Sequence, residues 1–278
     1  GLFNSLVIGI ALLGLPVISS TAFGADEVEE VVAVGSRREA RSVGDSPAPV
    51  DIITGSDFVN QGAMDLPDMI RTLVPSFNVN TQPISDAATL IRPANLRGLP
   101  PDNMLVLVNG KRRHRGAVIS FLGSGISDGA QGPDISAIPS IALKQVEVLR
   151  DGASAQYGSD AIAGILNFVL RDNSEGTQLE IRTGEYKEGD GDAWRIAANV
   201  GMPFTSAGFA NLSVELQDSK ATSRSVQRAD AQGLYDGGNT AIWNYPEPAQ
   251  IWGSPDVSDD YKFFVNLGVS LDESKDFY

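Results

Sequence analysis

Few residues in this chain could do covalent chemistry. Its 278 residues include no cysteine and a single histidine, His114. Thiolate nucleophiles, disulfides and thiolate metal sites are excluded together, and no multi-histidine zinc or copper centre can form within it. His114 sits in a basic run, Lys111-Arg112-Arg113-His114-Arg115, inside a chain with 21 Lys+Arg against 35 Asp+Glu and a formal charge of -14. Such a cluster can draw in an anionic ligand or be a solvated turn. One histidine in a basic run supports no Ser/His/Asp arrangement, and the acidic balance argues against a nucleic-acid partner. Gly123 to Gly129 lacks dinucleotide-binding spacing, and Asn109-Gly110-Lys111-Arg112 lacks the rest of a phosphate loop. Asp190-Gly191-Asp192 and Asp256, Asp259 and Asp260 lack the ligand series of a calcium loop. The expected chemistry is recognition rather than catalysis, with no cofactor implied.

The elements that must position such a surface fall into four regions. The uncharged residues 1–25, apolar from Leu6 to Ile18, suit the core of an export signal. They are too short and broken for a spanning helix of about 20 residues. Residues 26–46 form a charged leader with a β-prone run, Glu29-Glu30-Val31-Val32-Ala33-Val34-Gly35. That run is either an edge strand of the next domain or a free strand ready to add to a partner's sheet. Residues 47–172 mix strand and helix signals. Val50 to Ile53, Met104 to Val108, the stretch around Val146 and Val148, and Ile165 to Leu170 read as strands. Ser56 and Asp65 are expected to cap two short helices, the second with Leu66, Met69, Ile70 and Leu73 on one face.

From residue 177 the period becomes two. In four runs (177–186, 194–204, 209–217 and 261–271) apolar residues such as Leu179, Ile196, Val214 and Phe263 alternate with Glu180, Arg195, Glu215 and Lys262. Each is close to the roughly 9–11 residues of a tilted membrane strand. The tight connection at 203–208 and the long one at 218–260 follow the rule of short periplasmic turns and long outer loops. Tyr186, Phe204, Tyr261 and Tyr278 suit interfacial girdles. The fold class is therefore an α+β domain followed by antiparallel transmembrane β-barrel strands. About four strands cannot close a barrel, since open edges in hydrocarbon cost several kcal/mol per unpaired group. The chain thus reads as truncated at both ends, and a preceding domain of about 120 residues calls for a wide, plugged barrel.

The segment from Val146-Glu147-Val148-Leu149-Arg150-Asp151-Gly152 through Tyr157-Gly158 to Gly164-Ile165-Leu166-Asn167-Phe168 resembles the plug of TonB-dependent outer-membrane receptors, as do Leu96-Arg97-Gly98 and Val106 to Lys111. The resemblance covers about residues 26–172. It implies that Glu29 to Gly35 is a TonB box, adding as a strand to TonB, which is energised through ExbB and ExbD. It implies that Arg97 and Arg150 pair with barrel-wall glutamates. It makes Gly98, Asn109, Gly110, Glu147, Gly152, Tyr157, Gly158, Gly164 and Asn167 structural motif residues, the glycines through turn geometry with positive φ. Lys111, Arg112, Arg113, His114 and Arg115 would be ligand-facing. The implied function is energy-coupled uptake of a scarce nutrient across the outer membrane, most naturally a ferric siderophore. Cobalamin, a glycan receptor or a secreted adhesin are the alternatives. Arg150-Asp151-Gly152 departs from the family's commoner Arg-Gly-Pro, and the 111–131 insert is long, which leaves the substrate open.

Overall fold

A computed structural model describes residues 31–32, 41–42, 49–79, 88–121, 125–239, 241, 253–272 and 275–277. The export-signal region, most of the leader, and Tyr278 lie outside the described residues. In the leader, β1 (Val31–Val32) pairs antiparallel with β2 (Arg41–Ser42) as a two-stranded sheet of their own.

The next region carries β3 (Val50–Thr54), α1 (Gly55–Val59), α2 (Leu66–Leu73), β4 (Phe77–Val79), α3 (Ala88–Ile91), β5 (Ala94–Leu96), β6 (Met104–Val108), β7 (Lys111–Arg112), β8 (Leu143–Leu149), α4 (Ser154–Tyr157) and β9 (Gly164–Leu170). Its main sheet has the order β3-β8-β9-β6-β7, with β6 parallel to β9 and the other pairs antiparallel. The continuous apolar runs of β6 and β9 fit a sheet covered on both faces. Met104, Val106, Leu166 and Phe168 join α2 and its Met69 and Ile70 in one core cluster, while Leu105, Leu107 and Ile165 pack with Ala153 and Ala161 in another.

Local chemistry explains the turns. Asp65 caps α2 by accepting from Asp68 N–H at 3.1 Å. The first helix begins one residue earlier than its expected cap: Thr54, not Ser56, is the N-cap, because the Asp57 carboxylate reaches back to accept Thr54 N–H at 2.8 Å. Asn109 and Gly110, at φ 49° and 73°, make the tight turn joining β6 to β7.

The last region is a meander: β10 (Thr177–Gly184), β11 (Ala193–Thr205), β12 (Gly208–Ser219), β13 (Val257–Asp272) and a short β14 (Lys275–Phe277), each antiparallel to the next. A fifth strand therefore joins the four expected. The long connection before β13 includes α5 (Ala229–Asp236). Burial on this meander is inverted relative to a soluble sheet. Leu179 is 65% exposed and Phe263 69%, whereas Arg195 is 0% and Glu215 2% exposed. A sheet whose apolar face is bare and whose polar face is buried is built for lipid outside and a filled lumen inside. No described helix is long and apolar enough to cross a membrane, which says nothing of strands.

Candidate functional site

The polar face of the meander lies against the preceding domain, and the seam between them is the most developed polar site among the described residues. Cross-strand register sets it up. One row places Glu180, Ala197, Glu215 and Lys262 side by side, and the next places Arg182, Arg195, Gln217 and Asp260 together. Like charges directly opposite, as at Arg182 and Arg195, repel. Glu180 resolves the clash by accepting from Arg182 Nε and, at 2.9 Å, from Arg195 Nη1. Arg195 Nη2 reaches Glu215 at 2.6 Å, and Glu215 accepts Lys262 Nζ at 2.7 Å. A buried ion is tolerable only with such pairing.

The wall then grips the domain. Arg195 Nη2 donates to Ser140 Oγ at 2.6 Å, in the 3₁₀ turn Ser140–Ala142. Arg182 donates to the main-chain oxygens of Phe58, Gln61 and Ala63. Asn266 Nδ2 donates to Arg171 O at 2.9 Å, and Asn211 Nδ2 to Asn173 Oδ1 at 2.9 Å. Phe264, a large apolar residue on this mostly polar face, packs against the core cluster of the domain.

Several motif residues converge here. Glu147, 1% exposed, accepts from Asn167 Nδ2 at 2.9 Å and Gln145 Nε2 at 3.0 Å; Asn167 Oδ1 accepts Gly110 N–H at 3.0 Å. Asn109 Oδ1 accepts Leu170 N–H at 2.9 Å, and its Nδ2 donates to Asn266 Oδ1 at 3.3 Å, joining the motif to the wall. Gly98, Gly110, Gly158 and Gly164 have positive φ (71°, 73°, 98° and 135°). Gly152 does not share this geometry; it lies outside the positive-φ set, its N–H bonded to Asp151 Oδ1 at 2.7 Å. Tyr157 packs on the smaller core cluster.

The two motif arginines stand apart. Arg150 pairs bidentately with Asp51 of β3, at 2.6 and 2.7 Å, and is 41% exposed. Arg97 is exposed at φ 57° in the tight turn closed by Leu99 N–H to Leu96 O at 3.1 Å. The basic run is dispersed. Arg112 is bound to Asp160 and to Tyr157 O, Arg115 lies 3.9 Å from Asp102, Arg113 Nε is buried without a hydrogen bond, and Lys111 and His114 are exposed. Of the leader's box, Val31 and Val32 form β1, while Glu29, Glu30, Ala33, Val34 and Gly35 lie outside the described residues.

A cavity of about 870 Å³ opens between α2, the 88–92 segment and the wall with its loops. Its charged lining is Asp65, Asp68, Asp134, Glu185 and Asp260 against Arg71, Arg92, Lys220 and Lys262, and none of residues 111–115 takes part. Arg92 binds both Asp65 and Asp68, tying the 88–92 segment to the start of α2. Burial, and then the neighbouring Asp65, push the Asp68 carboxyl up to about 6, while Arg92 and Arg71 pull it back. The folded-state value lies above the ordinary aspartate value of 3.8, so the folded domain holds this proton more tightly than the unfolded chain. Stability contributed here is full below about pH 4 and falls as pH rises through about 6. Asp68→Asn should therefore flatten the urea midpoint of the full-length protein across that window, and an unchanged fall would assign the effect elsewhere. Among the described residues no group of three or more His, Cys, Asp or Glu is arranged to hold a metal. Asp190 is instead bound by Arg224, which also lies 5.9 Å from the Tyr186 ring centroid.

Sequence reading missed the seam itself. Glu180, Arg182, Arg195, Glu215 and Lys262 appear there only as the polar half of an alternation. The available signal was the recurrence of opposite charges at the same height on successive strands.

A domain seated by buried charge inside an inverted β-wall defines a class: the plugged β-barrels of the outer membrane. Residues 42–165, a little under half of the chain, match the model of the TonB-dependent Receptor Plug Domain. It is 30% identical over 189 residues to the Vitamin B12 transporter BtuB of Vibrio cholerae, covering 66% of this chain and 28% of that protein. It is 30% identical over 162 residues to the Ferric enterobactin receptor PirA of Pseudomonas aeruginosa, covering 57% of this chain and 21% of that protein. The solved ferric enterobactin receptor PfeA of Pseudomonas aeruginosa shares the fold, with a TM-score of 0.50 at 22% identity, covering 65% of this chain and 26% of that one. The chain thus spans less than a third of the length of these relatives.

Proposed function

We propose that the chain is the gate and opening wall of an outer-membrane receptor that takes up a scarce nutrient by energy coupling. The observation that carries this reading is the inverted wall sealed onto a plug domain by the charge row from Arg182 to Lys262. Ligand binds at the outer face, the plug shifts, and energy arrives from TonB, with ExbB and ExbD, at Glu29 to Gly35. The 1–25 segment directs export, and outer-membrane lipid meets the apolar face of β10–β13. Arg97, exposed in its turn, and Arg150, already held by Asp51, are proposed to meet glutamates of further wall strands. A ferric siderophore or similar chelate is the leading ligand class, since relatives named as a probable siderophore receptor and as a ferric enterobactin receptor are among the matches. The near balance of charge around the cavity supports a second reading, a largely neutral ligand such as cobalamin, the cargo in the name of other relatives. Deleting residues 29–35 from the full-length protein should abolish uptake while leaving surface binding intact. Uptake at the undeleted rate would remove the coupling claim.

A further inference from the structure

The contact between β10 and α1 has a chemistry unlike the rest of the seam. A helix as short as α1 leaves its last carbonyls without intrahelical donors, and cations are favoured at that end. Here the cation comes from the wall. Arg182 Nη2 donates to Phe58 O at 2.8 Å, and Nη1 donates to Gln61 O at 2.7 Å and Ala63 O at 3.3 Å. Its Nε is held by Glu180, and the side chain is 13% exposed. One guanidinium therefore ties three main-chain oxygens of the plug to one carboxylate of the wall. Only the arginine fork supplies donors in that geometry; a lysine ammonium does not. The next wall contact along the plug chain is chemically weaker, with Gly184 lying against Met64.

The position in the chain matters as much as the chemistry. The leader runs into β3, an edge strand of the plug sheet paired only with β8, and β3 runs directly into α1. A strand at a sheet edge can be peeled without disturbing the strands beyond it. Tension applied at the leader would reach α1 next, and there it meets Arg182.

We propose that Arg182 is the release latch between wall and plug, the positioning residue that sets the load at which the 50–63 segment leaves the wall. This rests on the reading that energy enters through the leader. Its test uses the purified full-length protein and needs neither TonB nor ligand, so failure of the transport reading is seen separately, in the 29–35 deletion. Hydrogen exchange in Arg182→Gln should speed up about 10- to 100-fold at residues 55–64, in keeping with lost hydrogen bonds to a charged group, with β8 and β9 unchanged. Arg182→Lys should fall between Gln and the native protein, and it alone decides if the Gln variant does not fold. Pulling a tag placed before residue 31 in single-molecule force measurements should give a lower first rupture force in the same order. Native exchange at 55–64, a change spread evenly over the plug, or an unaltered first rupture force would each overturn the latch.

Discussion

Replacing Arg195 with leucine is expected to destabilise plug seating by about 3 kcal/mol, the lower end of the range for breaking a buried ion pair. Arg195 is wholly buried, and it serves Glu180, Glu215 and Ser140 at once. Its removal does not leave bare anions, because Glu180 keeps Arg182 and Glu215 keeps Lys262. The cost is instead the loss of three hydrogen bonds from a charged donor, with each carboxylate left one partner short in a site with little water. The measurement is the urea midpoint for loss of plug protection in the full-length protein, followed by hydrogen exchange at 138–142. Adding Glu215→Gln to the leucine variant should deepen the loss, because Lys262 then loses its 2.7 Å partner. A cost below about 1 kcal/mol, the level of an exposed pair, would mean the row is solvated and not a seal.

Gly164→Ala should be more damaging still. Gly164 opens β9 at φ 135°, and an added Cβ would stand 2.2 Å from Leu149 O and 2.8 Å from Leu96 Cδ2. The first neighbour is backbone of the adjacent strand β8 and cannot give way. Strained φ and overpacking each cost about 1–3 kcal/mol, so a total of about 2–6 kcal/mol is expected, its upper end comparable to the whole stability of a small domain. The control is Gly98→Ala, where φ is 71° but nothing lies within 4 Å of the added carbon. Only the left-handed penalty of about 1–2 kcal/mol applies there. The expected outcome is loss of folded plug for Gly164→Ala and near-native yield for Gly98→Ala. Equal behaviour of the two would remove the close-approach argument.

What could be read from the residues follows from how local each signal is. Alternation along β10–β13 depends on neighbours two apart, and the wall strands appear where the alternation lies. Asn109-Gly110 encodes its turn within two residues, and the helical face of Leu66, Met69 and Ile70 is buried as its spacing demands. Pairings between distant segments were illegible. Nothing near Arg182 in sequence points to Phe58, and nothing near Arg195 points to Ser140. The basic run shows the same limit from the other side: adjacent residues turn to different partners once Asp160 and Asp102 are brought close. Gly152 teaches that glycine in a motif need not mean a left-handed backbone.

Phe264 carries a consequence for biogenesis. It is a large apolar residue on a mostly polar inner face, and it packs against the core cluster of the plug. A wall completed first would present that ring to water in an empty lumen. Only a short link, residues 171–176, joins β9 to β10. The economical order of construction is for the opening strands to be laid on the plug as on a template, with the remaining staves closed around them.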